Sequence, residues 1–223
     1  MCFSAGASFG ASAIVAVAGV VSIKKIKTKQ QIMFASIPIL FSMQQLSEGF
    51  VWLTFTHREY FQWQNIPVTI FLFLAQVLWP VWVPLSMLLV EKESRRRIAL
   101  KIFVCVSLVL APLQAYRLFF YPFDAQPTSN HIHYSLDFSI PHYGFILNIF
   151  YFLATIVPPF LATSKRIRML GILNLASFIV TVTFFEKDVI SVWCFFAAFL
   201  SLMVILAMNE LNSKSENGTV SLH

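Results

Sequence analysis

The segment Ile66–Val90, with the sequence IPVTIFLFLAQVLWPVWVPLSMLLV, decides the fold class because it is a long apolar run without a charged residue. A helix needs about 20 mostly apolar residues to cross a hydrocarbon core of about 30 Å. The whole chain has the same character: 58% of its 223 residues are hydrophobic, 12% are charged and the mean hydropathy is +0.74. Soluble domains carry about 25% charged residues. The composition therefore excludes a soluble globule and predicts an all-α membrane protein.

Seven apolar runs are long enough to be spans, and together they predict a seven-transmembrane-helix bundle that forms one domain, residues 1–208. The predicted spans are Ala5–Ile23, Gln31–Thr56, Ile66–Val90, Ile98–Phe120, Tyr143–Thr163, Met169–Phe185 and Val189–Met208. The last residues, 209–223, are polar and rich in Ser and Asn. This composition predicts a disordered cytoplasmic tail.

The distribution of Lys and Arg predicts the orientation. Of these 16 residues, all but Arg58, Arg117 and Lys187 fall on one side of the predicted bundle. Positive residues near span ends are retained on the cytoplasmic side, so we expect the N-terminus outside and the C-terminus inside. The net charge of +6 and the pI of about 9.4 follow from this distribution. We therefore expect no nucleic-acid partner.

Glu48 is the candidate catalytic or proton-handling residue. Gln45, Glu48 and Trp52 are spaced to share one face of the second predicted helix. An ionised and unpaired carboxylate in hydrocarbon costs several kcal/mol, so Glu48 should be protonated, paired or placed in a wet cavity. The alternative is a purely structural ion pair with Arg117, which lies at a similar predicted depth.

The polar residues within the spans fall mainly in the outer half of the predicted bundle. They predict an outward-facing polar pocket, roofed by an ordered loop at Tyr121–His142. Such a pocket would bind or sense a small molecule, a lipid or a metal. The predicted pocket residues are Gln45, Trp52, Gln76, Gln114, Arg117, Ser191 and Trp193.

Histidine and cysteine residues supply candidate metal ligands on the outer side. His131, His133 and His142 lie in or beside the long outer loop, and three His ligands with an open position are typical of catalytic zinc. The candidate cofactor is zinc or another transition metal. The alternative is that these side chains bind backbone carbonyls or face solvent. Cys2 and Cys194 are further candidate ligands or a disulfide pair, against a simple packing role.

Several short motifs resemble an uncharacterised family of small multipass bacterial membrane proteins that begin Met-Cys-aromatic-Ser-Ala. The resemblance implies a bacterial inner-membrane location and no established activity. The matching residues are Met1–Ala5, Gln45–Glu48 with Val51 and Trp52, Pro80–Pro84, His133 with Tyr134, and Ser191–Cys194 with Ala197 and Ala198.

Three functions stay open at this point. The first is a binding or sensing protein, with the bilayer and a small-molecule or lipid ligand as partners. The second is a metal-dependent hydrolase, because the outline is similar to alkaline-ceramidase-type zinc enzymes; His131, His133 and His142 would hold zinc, with Glu48 as general base. The third is a proton-coupled carrier that uses Glu48. The topology also resembles that of rhodopsins, but the last predicted span has no Lys for a Schiff base, so we expect no retinal. The oligomeric state stays open.

Overall fold

A computed structural model describes residues 4–128, 131–136 and 141–220, without the side chains of residues 141–143 and 214–220. Short 3₁₀ helices lie at Lys29–Gln31, Arg58–Trp63 and Glu186–Asp188, and a π-helix lies at Phe73–Leu78. Two strands form a hairpin, β1 (Phe123–Thr128) and β2 (His131–Leu136). The α-helices are α1 (Ala5–Lys24), α2 (Ile32–Ala35), α3 (Ile37–Thr56), α4 (Asn65–Leu72), α5 (Trp79–Val90), α6 (Ser94–Phe120), α7 (Pro141–Phe160), α8 (Lys165–Phe184), α9 (Val189–Leu200) and α10 (Met203–Val220).

Each predicted span lies on one helix or on consecutive helices. In the described part of the chain, four stretches are long and apolar enough to cross a membrane: α1, Asn65–Val90, α6 and α8. Helices α9 and α10 form a fifth if the 41° bend between them lies within one span. Helix α3 is less apolar because Gln44, Gln45 and Glu48 lie along it. The all-α prediction is therefore confirmed for most of the chain, and its four to five long apolar helices fit a multipass membrane protein.

Five helices surround the interior of the bundle. Contacts link α5 to α7, α7 to α8, α8 to α9 and α9 to α3. The ring closes where Phe41 on α3 stacks on Trp79 of α5, with ring centroids 4.0 Å apart. Helix α1 packs on α3, and α6 packs on α5 and α7 from outside the ring. The ring defines the space in which the site lies.

Small residues let α1 and α3 approach closely. Ser12 and Ser42 each donate a hydrogen bond to the other's backbone carbonyl at 2.9 Å. A side chain on Gly19 would collide with Ile39, and one on Gly49 would collide with the ring of Phe9. Such small residues are a common means of helix association in membranes, where hydrophobic burial does not favour one apolar neighbour over another.

The predicted outer loop forms a β-hairpin that closes one end of the bundle, here called the hairpin end. The strands are antiparallel, with Phe123 opposite Leu136. Alternation along β2 buries Ile132 and Tyr134 in the apolar core, where Tyr134 stacks on Phe71 at 4.7 Å. The expected ordered cap is therefore present as a strand pair, an exception to the all-α prediction.

The opposite end of the bundle, here called the basic end, includes residues that we predicted to be disordered. Helix α10 runs through this segment and its first polar residues are anchored: Lys25 Nζ donates to Asn209 Oδ1 (2.8 Å), and Asn212 Nδ2 donates to the Lys25 carbonyl (2.8 Å). Gln31 Nε2 donates to Asn212 Oδ1 (2.9 Å). The described helix therefore continues past residue 209, and these side chains bind the exposed end of α1 and the turn that follows it.

Candidate functional site

A buried carboxyl group lies at the centre of the bundle. Glu48 on α3 has 0% exposure, and Ser191 Oγ on α9 donates to its Oε1 at 2.6 Å. Gln45 Nε2, one helical turn away on α3, donates to Oε2 at 3.4 Å. The Cys194 thiol lies one turn from Ser191 and close enough to Glu48 for an electrostatic interaction. We call Gln44, Gln45, Glu48, Ser191 and Cys194 the Glu48 cluster.

Gln44 joins the Glu48 cluster to the third helix of the ring. Its side chain is fully buried, and Trp79 Nε1 on α5 donates to its Oε1 at 2.7 Å. The cluster thereby connects α3, α5 and α9 through polar contacts within an apolar bundle. Buried polar contacts of this kind fix one relative arrangement of helices, since a shift of any helix would leave donors unpaired.

Several polar atoms buried in the interior have no hydrogen-bond partner among the described residues. They include Gln45 Oε1, Trp52 Nε1 and Gln114 Nε2. Each such atom costs roughly 1–3 kcal/mol. Unsatisfied polar groups in a native core call for a specific explanation, and binding sites are one of the common ones.

Two interruptions of helical structure adjoin the ring helices α5 and α9. The π-helix Phe73–Leu78 ends just before Pro80, which has no N–H to give to the Ala75 carbonyl in the π pattern. Tyr151 OH on α7 donates to that carbonyl at 2.6 Å instead. At the second interruption, α9 ends at Leu200 and α10 begins at Met203 after a 41° bend. Irregular backbone at membrane depth is tolerated where protein buries it or where it lines a cavity.

A partly open cavity of about 70 Å³ is lined by the ring helices, with Trp79 next to the first interruption and Leu200 and Ser201 at the second. One water needs about 10–15 Å³ on this measure, so the cavity has room for a small organic group. It meets the Glu48 cluster at Cys194, and Trp79, which also lines it, holds Gln44. The lining residues are Ile37, Phe41, Trp79, Val83, Met87, Tyr151, Thr155, Pro159, Leu170, Asn174, Trp193, Cys194, Ala197, Leu200 and Ser201.

The predicted pocket residues are spread over several layers of the bundle. Gln45 and Ser191 contact Glu48, and Trp193 lines the cavity, where its Nε1 donates to Asn174 Oδ1 at 3.2 Å. Trp52 lies in the apolar core beneath the hairpin. The other three predicted residues lie elsewhere: Gln76 in the π-helix, Gln114 buried on α6, and Arg117 one turn further, where it donates to the Leu136 carbonyl at 2.6 Å.

The histidines of the hairpin lie at its junction with the loop that precedes α9. His133 Nδ1 donates to the Lys187 carbonyl at 2.6 Å and lies 3.6 Å from Asp188 Oδ1. The ring of His131 contacts that of Phe185, with centroids 4.9 Å apart. Burial lowers the pKa of His131 and outweighs the opposite effect of Asp188. The contact of His133 matches the alternative in which loop histidines bind backbone carbonyls.

The described residues contain no group of three or more His, Cys, Asp or Glu side chains placed to hold a metal ion. The side chain of His142 and the whole of Cys2 lie outside the described residues. Cys194 is a buried thiol without a disulfide partner among the described residues. The zinc-hydrolase interpretation therefore gains no support from the described geometry.

A second set of buried polar contacts lies at the basic end and was not predicted from the sequence. Glu91 accepts four hydrogen bonds: from the backbone N–H groups of Lys92 and Glu93 (both 2.9 Å), from Thr163 N (2.6 Å) and from Thr163 Oγ1 (2.8 Å). Burial alone would raise the pKa of Glu91, but these bonds favour the carboxylate and bring its pKa below the usual value. Glu210 on α10 similarly accepts from Arg166 N (2.9 Å) at the start of α8.

The sequence carries weak signals for these missed residues. Glu91 directly follows a long apolar run, a position at which a carboxylate is close to backbone groups at helix ends. Tyr151 and Asn174 lie inside apolar spans and are polar, which is the same signal that selected Gln114. Their partners are distant in sequence, so the spacing within one helix does not reveal them.

The fold and site define a class: a bundle of apolar helices, capped by a hairpin, with a buried acidic cluster next to an internal cavity. Residues 1–218 match the family described as "Family of unknown function (DUF6629)", and the chain belongs to that family. This agrees with the expected resemblance to an uncharacterised family. Comparison with curated proteins and with solved structures gives no match.

Proposed function

We propose that this chain is a seven-span protein of the bacterial inner membrane, with its N-terminus outside, that binds a small molecule inside the helix bundle. The seven predicted apolar runs all coincide with helices, which supports seven spans. The concentration of Lys and Arg at the basic end supports the orientation. The bacterial location rests on the resemblance of its motifs.

The cavity beside the Glu48 cluster carries the proposal. Sites for small molecules are mostly apolar, with a few placed polar groups that orient the ligand. The cavity has this composition, and the fully buried Glu48 interacts electrostatically with Cys194, which lines it. Compared with the predicted outward-facing pocket, the proposed site lies deeper, because Ile132 and Tyr134 of the hairpin fill the space at the hairpin end.

Extraction of bound compounds tests this proposal. The protein is purified in mild detergent, denatured, and its extract compared by mass spectrometry with those of two variants. Ala197→Phe fills the cavity, whereas Ala13→Phe adds the same ring on an exposed face of α1. We expect a compound that accompanies the unmodified protein and Ala13→Phe at about one per chain and is lost from Ala197→Phe. Equal amounts in all three extracts would contradict binding in the cavity.

A second candidate, a proton-coupled carrier, is favoured by the two helix interruptions. Discontinuous helices commonly form the substrate sites of secondary transporters near the membrane midplane. Here Trp79, which directly follows the π-helix, and Leu200 and Ser201 at the α9–α10 break line the cavity. The buried carboxyl group of Glu48, which can exchange a proton, is close to Cys194 in the cavity lining.

Uptake into liposomes distinguishes the carrier from a binding protein. The protein is reconstituted, and accumulation of the extracted compound is measured with and without a pH gradient. We expect gradient-driven uptake by the unmodified protein and its loss in Glu48→Gln, which keeps the side-chain shape and removes the titratable group. Uptake that is independent of the gradient, or unaffected by Glu48→Gln, would rule out this role for Glu48.

A further inference from the structure

The hydrogen bonds around the cavity narrow the chemistry of its ligand, an inference that rests on the proposed binding function. No charged side chain lines the cavity among the described residues. Its hydroxyl and indole donors are already used by the protein: Tyr151 OH by the Ala75 carbonyl, Thr155 Oγ1 by the Tyr151 carbonyl (2.9 Å), and Trp79 Nε1 by Gln44. Ser201 Oγ likewise donates to the Ala198 carbonyl. These groups present mainly their carbon atoms to the cavity.

Asn174 is the exception. Its Oδ1 accepts the hydrogen bond from Trp193 Nε1, which leaves Nδ2 as the amide atom available to a ligand. No described residue accepts a hydrogen bond from Asn174 Nδ2. An amide N–H in an apolar cavity favours a ligand that offers an acceptor, since an unpaired donor in such surroundings costs free energy.

We infer that the cavity binds an uncharged, mostly apolar molecule with one hydrogen-bond acceptor, such as a ketone, ether or ester oxygen, and that Asn174 Nδ2 donates to it. The aromatic rings of Phe41, Trp79 and Trp193 pack against the apolar part. Glu48 is not among the lining residues, and its carboxyl group accepts from Ser191 and Gln45 instead. A cation is therefore not the expected ligand.

Three six-membered-ring compounds of similar size test this assignment: cyclohexanone, methylcyclohexane and the cyclohexylammonium ion. A ligand that binds only the folded state raises the midpoint of thermal unfolding. In detergent, we expect cyclohexanone to raise the midpoint most, methylcyclohexane less, and cyclohexylammonium not at all. The same measurements on Ala197→Phe correct for partition of the compounds into the micelle. The shift that comes from binding in the cavity should be absent in this variant.

Asn174→Leu isolates the hydrogen bond because it keeps the side-chain size. We expect about a tenfold loss of cyclohexanone affinity, which equals about 1.4 kcal/mol, and no loss for methylcyclohexane. If this variant fails to fold, a tryptophan-fluorescence measurement on protein that keeps Asn174 replaces it. With Trp52, Trp63 and Trp82 changed to Phe, only cavity residues Trp79 and Trp193 report, and cyclohexanone should change their emission.

The outcomes separate this inference from the binding function beneath it. A shift with cyclohexylammonium but not with cyclohexanone would overturn the uncharged ligand and leave cavity binding intact. No cavity-specific shift with any of the three compounds, together with no extracted ligand, would overturn both. Repeating the cyclohexanone titration in lipid nanodiscs shows whether the ligand of the cavity is a free molecule or a lipid. A retained shift supports a free small molecule as the ligand. A lost shift supports a lipid, whose ester group offers the same hydrogen-bond acceptor and occupies the cavity in the nanodisc.

Discussion

Glu91 and Glu48 are both buried carboxyl groups, but they differ in how completely the polar atoms around them are hydrogen-bonded. At the basic end, Glu91 accepts four hydrogen bonds that join two loops. In the interior, Glu48 lies near two polar atoms, Gln45 Oε1 and Trp52 Nε1, that have no partner among the described residues. A fully satisfied network stabilises a fold. A cluster with surplus polar atoms lowers stability, and a protein retains it where it serves a ligand or a proton.

Removing the side chain of Glu91 should have the largest effect on stability. We expect Glu91→Ala to lower the free energy of unfolding by about 3 kcal/mol, because two Thr163 donors and two loop N–H groups lose a charged acceptor together. The matched control is Glu93→Ala, which breaks an exposed ion pair with Arg96 and should cost less than about 1 kcal/mol. Unfolding in SDS–detergent mixtures measures both. Equal losses in the two variants would contradict a structural role for Glu91.

The pH dependence of stability should follow from the same carboxylate. Because its hydrogen bonds hold the pKa of Glu91 in the folded protein below that of an ordinary Glu side chain, Glu91 stabilises the fold above the ordinary pKa. This contribution is lost as the pH falls through the folded pKa. Thermal unfolding from pH 7 to pH 3 should therefore show a loss of stability at acid pH that is smaller in Glu91→Gln. An unchanged acid loss in Glu91→Gln would assign the effect to other groups.

Two glutamines offer a direct comparison of satisfied and unsatisfied amides. Gln31 at the basic end accepts from Lys27 N (2.8 Å) and donates to Asn212, so Gln31→Leu should cost about 2 kcal/mol. Gln114 is equally buried, but its Nε2 has no partner, so Gln114→Leu should raise stability by about 1 kcal/mol. Equilibrium unfolding of both variants checks the signs. Destabilisation by Gln114→Leu would mean that its amide is satisfied in the membrane, for example by water.

The smallest expected effect concerns the Ala75 carbonyl, which receives no backbone hydrogen bond from Pro80. Tyr151→Phe removes the donor to the Ala75 carbonyl and should lower the free energy of unfolding by about 1 kcal/mol. Tyr116→Phe is the control, since Tyr116 is 55% exposed on α6 and should change stability by less. Thermal unfolding of the two variants side by side makes the comparison. Indistinguishable midpoints would remove the hydrogen bond from the list of stabilising contacts.

The sequence predicted those parts of the site that lie within one helix. Gln45 and Glu48 are one turn apart, so the helical period alone places them on one face, and their contact is present. The partner on α9, Ser191, lies 143 residues further along the chain. Ser191 was predicted to line the pocket because it is polar, but its position along the chain did not predict a contact with Glu48. The same holds for Tyr151 and the Ala75 carbonyl, which are 76 residues apart.

The hairpin and α10 show where composition misleads. Loop 121–142 is rich in Pro and His, yet the alternation from His131 to Tyr134 buries two side chains and forms a strand. The polar residues after 208 resemble a disordered tail in composition, yet Asn209 and Asn212 bind the end of α1. Composition averages over a segment, whereas these structures depend on single contacts with a distant element.

By itself, the sequence determined the helical class, the seven apolar runs and the asymmetry of basic residues, because each follows from local hydropathy and charge. It also singled out Glu48, since a carboxyl group is costly wherever it lies in an apolar span. Only the tertiary structure decided which helices form the ring and where the hairpin closes it. It also revealed the cavity that meets the Glu48 cluster at Cys194. The physical reason is that apolar helices can pack through many faces, and the choice among them depends on side-chain shapes and hydrogen bonds that meet only in the folded bundle.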